Sequence, residues 1–329
     1  TDEGVEGHSF LGSAYQPASS DGASLIKVLK PILMGQNPLD RERLGAAMQK
    51  RNGTYHTTAR AVGTVDIALW DIAGKVANQP IHRLLGTYRT QAPAYAASPV
   101  FDTIEEYVDE ATKCKAENWL AYKIHPPMLW RKDIAICEAV RKAVGDDYTL
   151  MLDSMYGYNY YEALRVGRAI EAMDYYWYED PLSIQDHYNY PKLREKLDVP
   201  IMATEQAPGG LDAYPPFILS RATDYLRGNV RGGITTLVRS AHLAEAFRMN
   251  YEVHHGGNAL HNVASLHVVM ALRNTEFFEV LLPRDAHMCG VHGDIEIDQN
   301  GYVHAMDKPG LGADIDFDLI KRKKIAVLA

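Results

Sequence analysis

The feature that most constrains this chain is an alternation. Between residues 93 and 281, eight short apolar runs are separated by amphipathic stretches of helical spacing. The runs are "PAYAAS" (93–98), "LAYKIH" (120–125), "TLMLDS" (149–154), "YYWYED" (175–180), "PIMATE" (200–205), "DYLRGN" (224–229), "NYEVHH" (250–255) and "EFFEVL" (276–281). Eight βα units in tandem are the arithmetic of a (β/α)8 TIM-type barrel. The competing doubly wound sheet would carry a Gly-rich phosphate loop after its first strand, and none follows residue 98. Upstream, "RAVGTVDIALWDIAGKVANQPIHRLLG" has the apolar period of a buried helix and a Gly at its end, so residues 1–90 read as mostly helical. Downstream, "GDIEIDQNGYVHAMDKPGLGADID" reads as a hairpin turn and loop outside the barrel that returns to the first ninety residues. The expected organisation is 1–90, a barrel over 91–283, and a returning segment over 284–329.

Polar residues fall at the ends of these runs. Lys123 and His125 close the second run and share one face of it, because side chains alternate along a strand. Asp153, Glu179 and Glu205 close the next three at equal intervals of 26 residues, and His255 and Glu279 sit near the ends of the seventh and eighth. In such barrels the C-terminal strand ends form the active site. Three carboxylates side by side on that rim repel one another, and a hard divalent cation with oxygen ligands relieves the repulsion, which points to Mg²⁺.

Composition removes other classes of function. A net charge of −8 at pH 7 without a long basic run disfavours nucleic acid and anionic membrane as partners. Three scattered cysteines, no apolar run near eighteen residues and no signal-peptide pattern lead to the expectation of a cytoplasmic enzyme. The chain opens "TDEGVEG" without Met, as though upstream sequence were absent.

Taken together, these segments resemble the enolase superfamily, in the subgroup of mandelate racemase and the acid-sugar dehydratases. "VGTVDIALWDIAGKVANQPIHRLLG" is similar to the family's junction of cap and barrel. "MLDS", "WYEDPL" and "MATEQ" resemble its three metal-ligand strands, "GGIT" (232–235) its sixth-strand turn, and "KPGLGADID" its C-terminal signature. The resemblance implies a modified (β/α)7β barrel with an α+β capping domain built from both chain ends. It also implies one Mg²⁺ per subunit, a small carboxylate substrate and a homo-oligomer. The chemistry implied is removal of the proton beside that carboxylate to give an enediolate, which a cation must stabilise because such a proton is weakly acidic.

By the same resemblance Asp153, Glu179 and Glu205 are the Mg²⁺ ligands. Lys123 and His125 occupy the second-strand pair, where Lys-x-Lys is usual, so that His125 becomes the acid/base of one face. Lys123 steadies the substrate carboxylate and, with the metal, keeps His125 neutral. On the other face the resemblance selects His255, with His254 pointing away. The Asp that usually orients that histidine is missing, since Arg227 or Asn229 stands in its place. A histidine without an anionic partner is the weaker base, and unequal faces suit dehydration better than racemisation. Glu279 matches a strand-eight Glu that contacts substrate carboxylate, and Arg227, Asn229 and Tyr156 are further substrate-binding candidates. Where many relatives carry Asn after the first ligand, this chain has Met155. The expected function is dehydration of an acid sugar to a 2-keto-3-deoxy acid. The alternatives are a sugar-acid racemase, epimerase or cycloisomerase, including enzymes acting on anhydro-sugar acids or lactones, and, from another class, an inactive barrel acting as a binding protein. In the family much specificity lies in a loop near the start of the cap.

Overall fold

The computed structural model describes residues 1–13, 17–55, 57–207 and 210–328. All eight predicted runs contain a strand: β1 Gln91–Ala97, β2 Ala121–Ile124, β3 Thr149–Asp153, β4 Tyr178–Glu179, β5 Ile201–Ala203, β6 Tyr225–Asn229, β7 Asn250–His254 and β8 Phe278–Leu281. They pair in parallel in the order β7-β6-β5-β4-β3-β2-β1-β8, which curls the sheet into a barrel. A helix follows each of the first seven strands, from Ile104–Ala116 after β1 to Ala259–Ala271 after β7. After β8 comes one short turn, Arg284–Ala286, so the barrel is (β/α)7β. Local signals set several helix starts: Thr103 with Glu106, and Asn159 with Glu162, form capping boxes.

Among the described residues no backbone ladder joins β7 to β8. A side chain closes the seam instead. The Glu252 carboxylate accepts from the backbone N–H groups of Glu276 (2.9 Å) and Phe277 (3.2 Å).

Inside the barrel, a lower layer of Tyr95, Ala97, Ala121, Met151, Trp177 and Met202 is apolar and buried. Two residues further along the strands the inward positions turn charged, with Lys123, Asp153, Glu179, Arg227 and Glu279 all buried. The period-two rule therefore carries apolar packing directly into the floor of a polar site.

From Ser19 on, the described part of 1–90 is mostly helical, and its longest helix, Ala59–Val76, packs on the rim of the barrel. It docks backbone to backbone, since a Cβ on Gly63 would lie 2.0 Å from the carbonyl oxygen of Arg231. Asp66 then accepts from the Thr235 N–H at 2.9 Å, and Trp70 Nε1 donates to Thr235 Oγ1 at 2.9 Å. The C-terminal segment does return to this helix, where Leu311 N donates to Asp71 Oδ1 at 2.9 Å. On its way, strand β9, Tyr302–His304, pairs antiparallel with the start of β1. No helix among the described residues is long and apolar enough to cross a membrane.

Candidate active site

Asp153 and Glu179 end β3 and β4 and face each other in register. Glu205 joins them although the strand alternation predicts otherwise. Met202 points inward, so the next inward position is 204, yet Thr204 takes a left-handed φ of +92° and hands that position to Glu205. A β-branched residue at positive φ is strained. Here a double hydrogen bond holds it: Thr204 Oγ1 donates to the Arg227 carbonyl at 2.9 Å and accepts from the Arg227 N–H at 3.0 Å. One oxygen from each of Asp153, Glu179 and Glu205 then lies within 4.8 Å of the others.

These residues suit a hard cation. The donors are all carboxylate oxygens, the set that Mg²⁺ prefers. Glu179 Oε1 is buried with no hydrogen-bond donor, although Arg227 Nε stands 2.5 Å from it as an unaligned ion pair. Burial raises the pKa of Glu179 and Glu205, and mutual repulsion with Asp153 adds to it despite Arg227 and Lys123. For Asp153 burial also acts upward, but Lys123 and His125 outweigh it and hold the carboxyl well below its ordinary range. Met155, standing where Asn was expected, contributes its backbone N–H to Asp153 Oδ1 at 2.9 Å.

Beneath this triad the structure departs from expectation. Lys123 is fully buried and spends its charge on Glu279 (2.7 Å), Glu179 (2.8 Å) and Asp153 (3.4 Å). Arg227 is equally buried, with Nη2 2.7 Å from Glu279 and 3.0 Å from the Tyr95 hydroxyl. Glu279 also accepts from Tyr95 OH at 2.9 Å and from the His255 N–H at 2.8 Å. Lys123, Arg227 and Glu279 therefore form a closed ion-pair floor and do not line the cavity. The reason is depth, because each sits two residues below the position that reaches the mouth. Asn229, two residues above Arg227, does reach upward and donates from Nδ2 to Glu205 Oε1 at 3.2 Å.

The cavity above measures about 640 Å³ and is lined by His125, Asp153, Tyr156, Asp180, Arg231 and His254 among others. His125 is positioned from both ends. Its Nδ1 lies 2.6 Å from the Ser98 carbonyl, which can only accept, so Nδ1 carries a proton and Nε2 is the nitrogen turned toward Asp153 at 3.0 Å. Burial lowers its pKa, but the Asp153 charge and hydrogen bond prevail and raise it overall. In this structure Asp153 outweighs Lys123, contrary to the expectation that Lys123 keeps His125 neutral.

The other histidine is corrected by one residue. His254, the last residue of β7, points inward with Glu252, and its Nε2 stands 3.5 Å from Glu205 and 3.7 Å from Glu279. His255 lies just past the strand and faces away from the triad, its Nδ1 accepting from the Gly257 N–H at 3.0 Å and its ring against His287. Alternation counted from Glu252 would have selected His254. The Gly256 N–H donates to His254 Nδ1 at 2.8 Å, so in the neutral ring the proton sits on Nε2, facing the cavity. Burial drives the His254 pKa well below its ordinary value, with Glu279 opposing and Arg231, Arg227 and Lys123 adding to the drop.

Of the tyrosines in "MYGYNYY", Tyr156 lines the cavity, with burial and Asp180 raising its pKa. Tyr158 turns away to donate to Asp133 at 2.5 Å, and Tyr161 is exposed. Sequence reasoning passed over Asp180, Arg231, His254 and His287, all of which line the cavity. Asp180 and Arg231 each stand just past a strand end, where turn geometry decides direction.

Residues 106–319 match the family model described as enolase C-terminal domain-like, and residues 1–86 that of the mandelate racemase / muconate lactonizing enzyme N-terminal domain. The arabinonate dehydratase of Saccharolobus solfataricus is 28% identical over 325 residues, covering 95% of this chain and 86% of that protein. Among solved structures, the D-glucarate dehydratase from Agrobacterium tumefaciens, complexed with magnesium, is similar at a TM-score of 0.89 and 34% identity, covering 99% of this chain and 89% of its own. The 3,6-anhydro-D-galactonate cycloisomerase from Zobellia galactanivorans gives 0.88 and 29%, over 98% and 91%.

Proposed function

This chain belongs to the mandelate racemase and muconate lactonizing enzyme family of the enolase superfamily, and from that premise we propose that it dehydrates an acid sugar to a 2-keto-3-deoxy acid. Asp153, Glu179 and Glu205 would hold Mg²⁺, whose charge offsets the negative charge that gathers on a substrate carboxylate when its neighbouring proton leaves. Four carboxylates, with Glu279, face two cations, Lys123 and Arg227, a deficit that a single divalent ion closes.

The observation that carries the reaction type is the opposed tautomers of the two cavity histidines. His125, its Nδ1–H committed to Ser98, would offer Nε2 as the acceptor for the proton on C2 with the Asp153 carboxylate engaged by a metal ion; without one, Asp153 holds a proton on Nε2. His254, its Nδ1 committed to the Gly256 N–H, offers Nε2–H as a hydrogen-bond donor to the β-hydroxyl from another strand of the mouth, and that hydroxyl leaves as water on receiving the proton that His125 took from C2. A racemase needs each face both to take and to give a proton at C2. His254, held neutral by burial, is a poor source of a proton for C2, which favours elimination over racemisation. Tyr156 and Asn229 supply polar contacts for a hydroxyl-rich chain.

The test is a panel of acid sugars with Mg²⁺, read for 2-keto product and, separately, for deuterium uptake from solvent at C2. Keto product accompanied by C2–H loss is expected. Exchange without keto product overturns dehydration in favour of racemisation or cycloisomerisation, and neither signal together with no Mg²⁺ binding leaves a binding protein.

A further inference from the structure

Beside the main cavity lies a second lobe of about 300 Å³, running under the cap and lined by Gln49, Arg60, Gln206, Asn229, Arg231 and Thr236 among others. The two spaces share Glu205, Gln206 and Arg231, so they adjoin at Arg231.

Arg231 is placed unlike the two cations of the floor. Lys123 and Arg227 are consumed by buried carboxylates. Arg231 Nε donates to the Gly256 carbonyl at 2.8 Å, and among the described residues no carboxylate lies within ion-pair distance of its guanidinium. It is half-buried; burial acts against its charge, the Glu205 carboxylate favours it from beyond ion-pair distance, and Arg60 opposes it more weakly. Arg60 enters the lobe from the helix Ala59–Val76, its charge paired with Asp21 at 2.9 Å. A half-buried guanidinium with no carboxylate in ion-pair contact is free to take an anion, and its planar fork is matched to a carboxylate. The anion cannot be the reacting carboxylate of the substrate if that group sits at the Asp153–Glu179–Glu205 triad. A second carboxylate, at the far end of the sugar chain, meets both requirements.

Resting on the acid-sugar reading above, we propose that Arg231 binds the distal carboxylate of a dicarboxylic sugar acid. The substrate class is then aldaric and not aldonic acids, with the far end of the chain lying in the lobe beneath Arg60.

The experiment compares aldaric acids with the aldonic acids of matching configuration and with their terminal phosphates, using the Mg²⁺-loaded full chain. Readouts are kcat/KM for keto formation or C2 exchange, and calorimetric binding. The best aldaric acid should exceed its aldonic partner about 30-fold, the scale of one charged, bidentate contact. Arg231→Met should erase that preference through KM, change the aldonic acid less than about 3-fold, and leave Mg²⁺ affinity intact; Arg231→Lys should restore part of it. Equal use of both classes, preference for the phosphate, or an equal loss on both substrates in Arg231→Met overturns the proposal. If no acid turns over, the dehydratase reading fails while this one is still decided by calorimetry. Tighter binding of the diacid, weakened by Arg231→Met, upholds it, and equal or absent binding overturns it.

Discussion

Replacing Arg227 with Met tests whether the buried ion pairs under the triad behave as the geometry requires. The guanidinium is fully buried and reaches Glu179 at 2.5 Å and Glu279 at 2.7 Å, both carboxylates being themselves buried. Removing it leaves Lys123 as the one cation within 4 Å of that pair among the described residues, at 2.8 Å and 2.7 Å. Breaking a buried pair by deleting one partner costs roughly 3–5 kcal/mol, and the retained Lys123 argues for the lower half of that range. With an unfolding entropy of about 2.1 cal/mol/K per residue, a chain of this length should lose about 4–6 °C in melting temperature. Metal binding should move the other way. Arg227 competes for Glu179 and repels a cation, so Arg227→Met should bind Mg²⁺ at least as tightly as the parent and gain more thermal stability from saturating Mg²⁺. Glu279→Met added to Arg227→Met should recover part of the loss, because it removes a stranded carboxylate. The assay is thermal unfolding by circular dichroism with and without Mg²⁺, alongside calorimetric Mg²⁺ titration. A loss under about 1 kcal/mol, or weaker Mg²⁺ binding in a folded variant, would refute the reasoning.

His254→Asn should lower kcat at least about 100-fold, whereas His255→Asn, whose amide oxygen can still accept the Gly257 N–H, should stay within about 3-fold of the parent; steady-state kinetics on the two variants decides between them. His125→Asn should reduce kcat by about 10²- to 10⁴-fold while calorimetry still detects Mg²⁺ binding, and undiminished turnover would remove His125 from the reaction. Stability should depend on acid through His267, whose Nδ1 accepts from the His82 N–H at 3.3 Å while Nε2 donates to the Leu311 carbonyl at 3.0 Å. Burial pushes its pKa down to about 4, so below the unfolded value of about 6.5 the unfolded chain takes up a proton that the native ring refuses, and stability falls as pH drops from 6.5 toward 4. His267 should contribute about 2 kcal/mol to the loss from pH 7 to pH 5, on top of the other buried histidines, and His267→Gln should reduce the loss by that share in urea titrations.

Much of this protein was legible one run at a time. The eight strands, the helices between them and the metal triad are local facts: an apolar run of four to six residues, a polar residue at its end and a repeat of 26 from Asp153 to Glu179 to Glu205. The equal spacing pointed to Glu205 while concealing how it comes beside Asp153 and Glu179, because it reaches them only through the left-handed turn at Thr204. The distinction between His254 and His255 was lost for a related reason: the resemblance was carried by a motif, whereas direction is set by strand parity counted from Glu252.

The sequence by itself determined the periodicity, since burying apolar faces at strand and helix spacing leaves few architectures open, and it determined which residue types gather at one rim. Only the tertiary structure decided which of those groups are spent. Lys123, Arg227 and Glu279 read as binding residues when each stands alone in its run. In the folded barrel they come within ion-pair distance and neutralise one another, because charges removed from water must find partners among whatever neighbouring strands provide. Arg231, unremarked within its turn, is the cation that the fold leaves facing the cavity, and that assignment rests on neighbours distant along the chain: Gly256 on one side and Arg60 of the cap on the other.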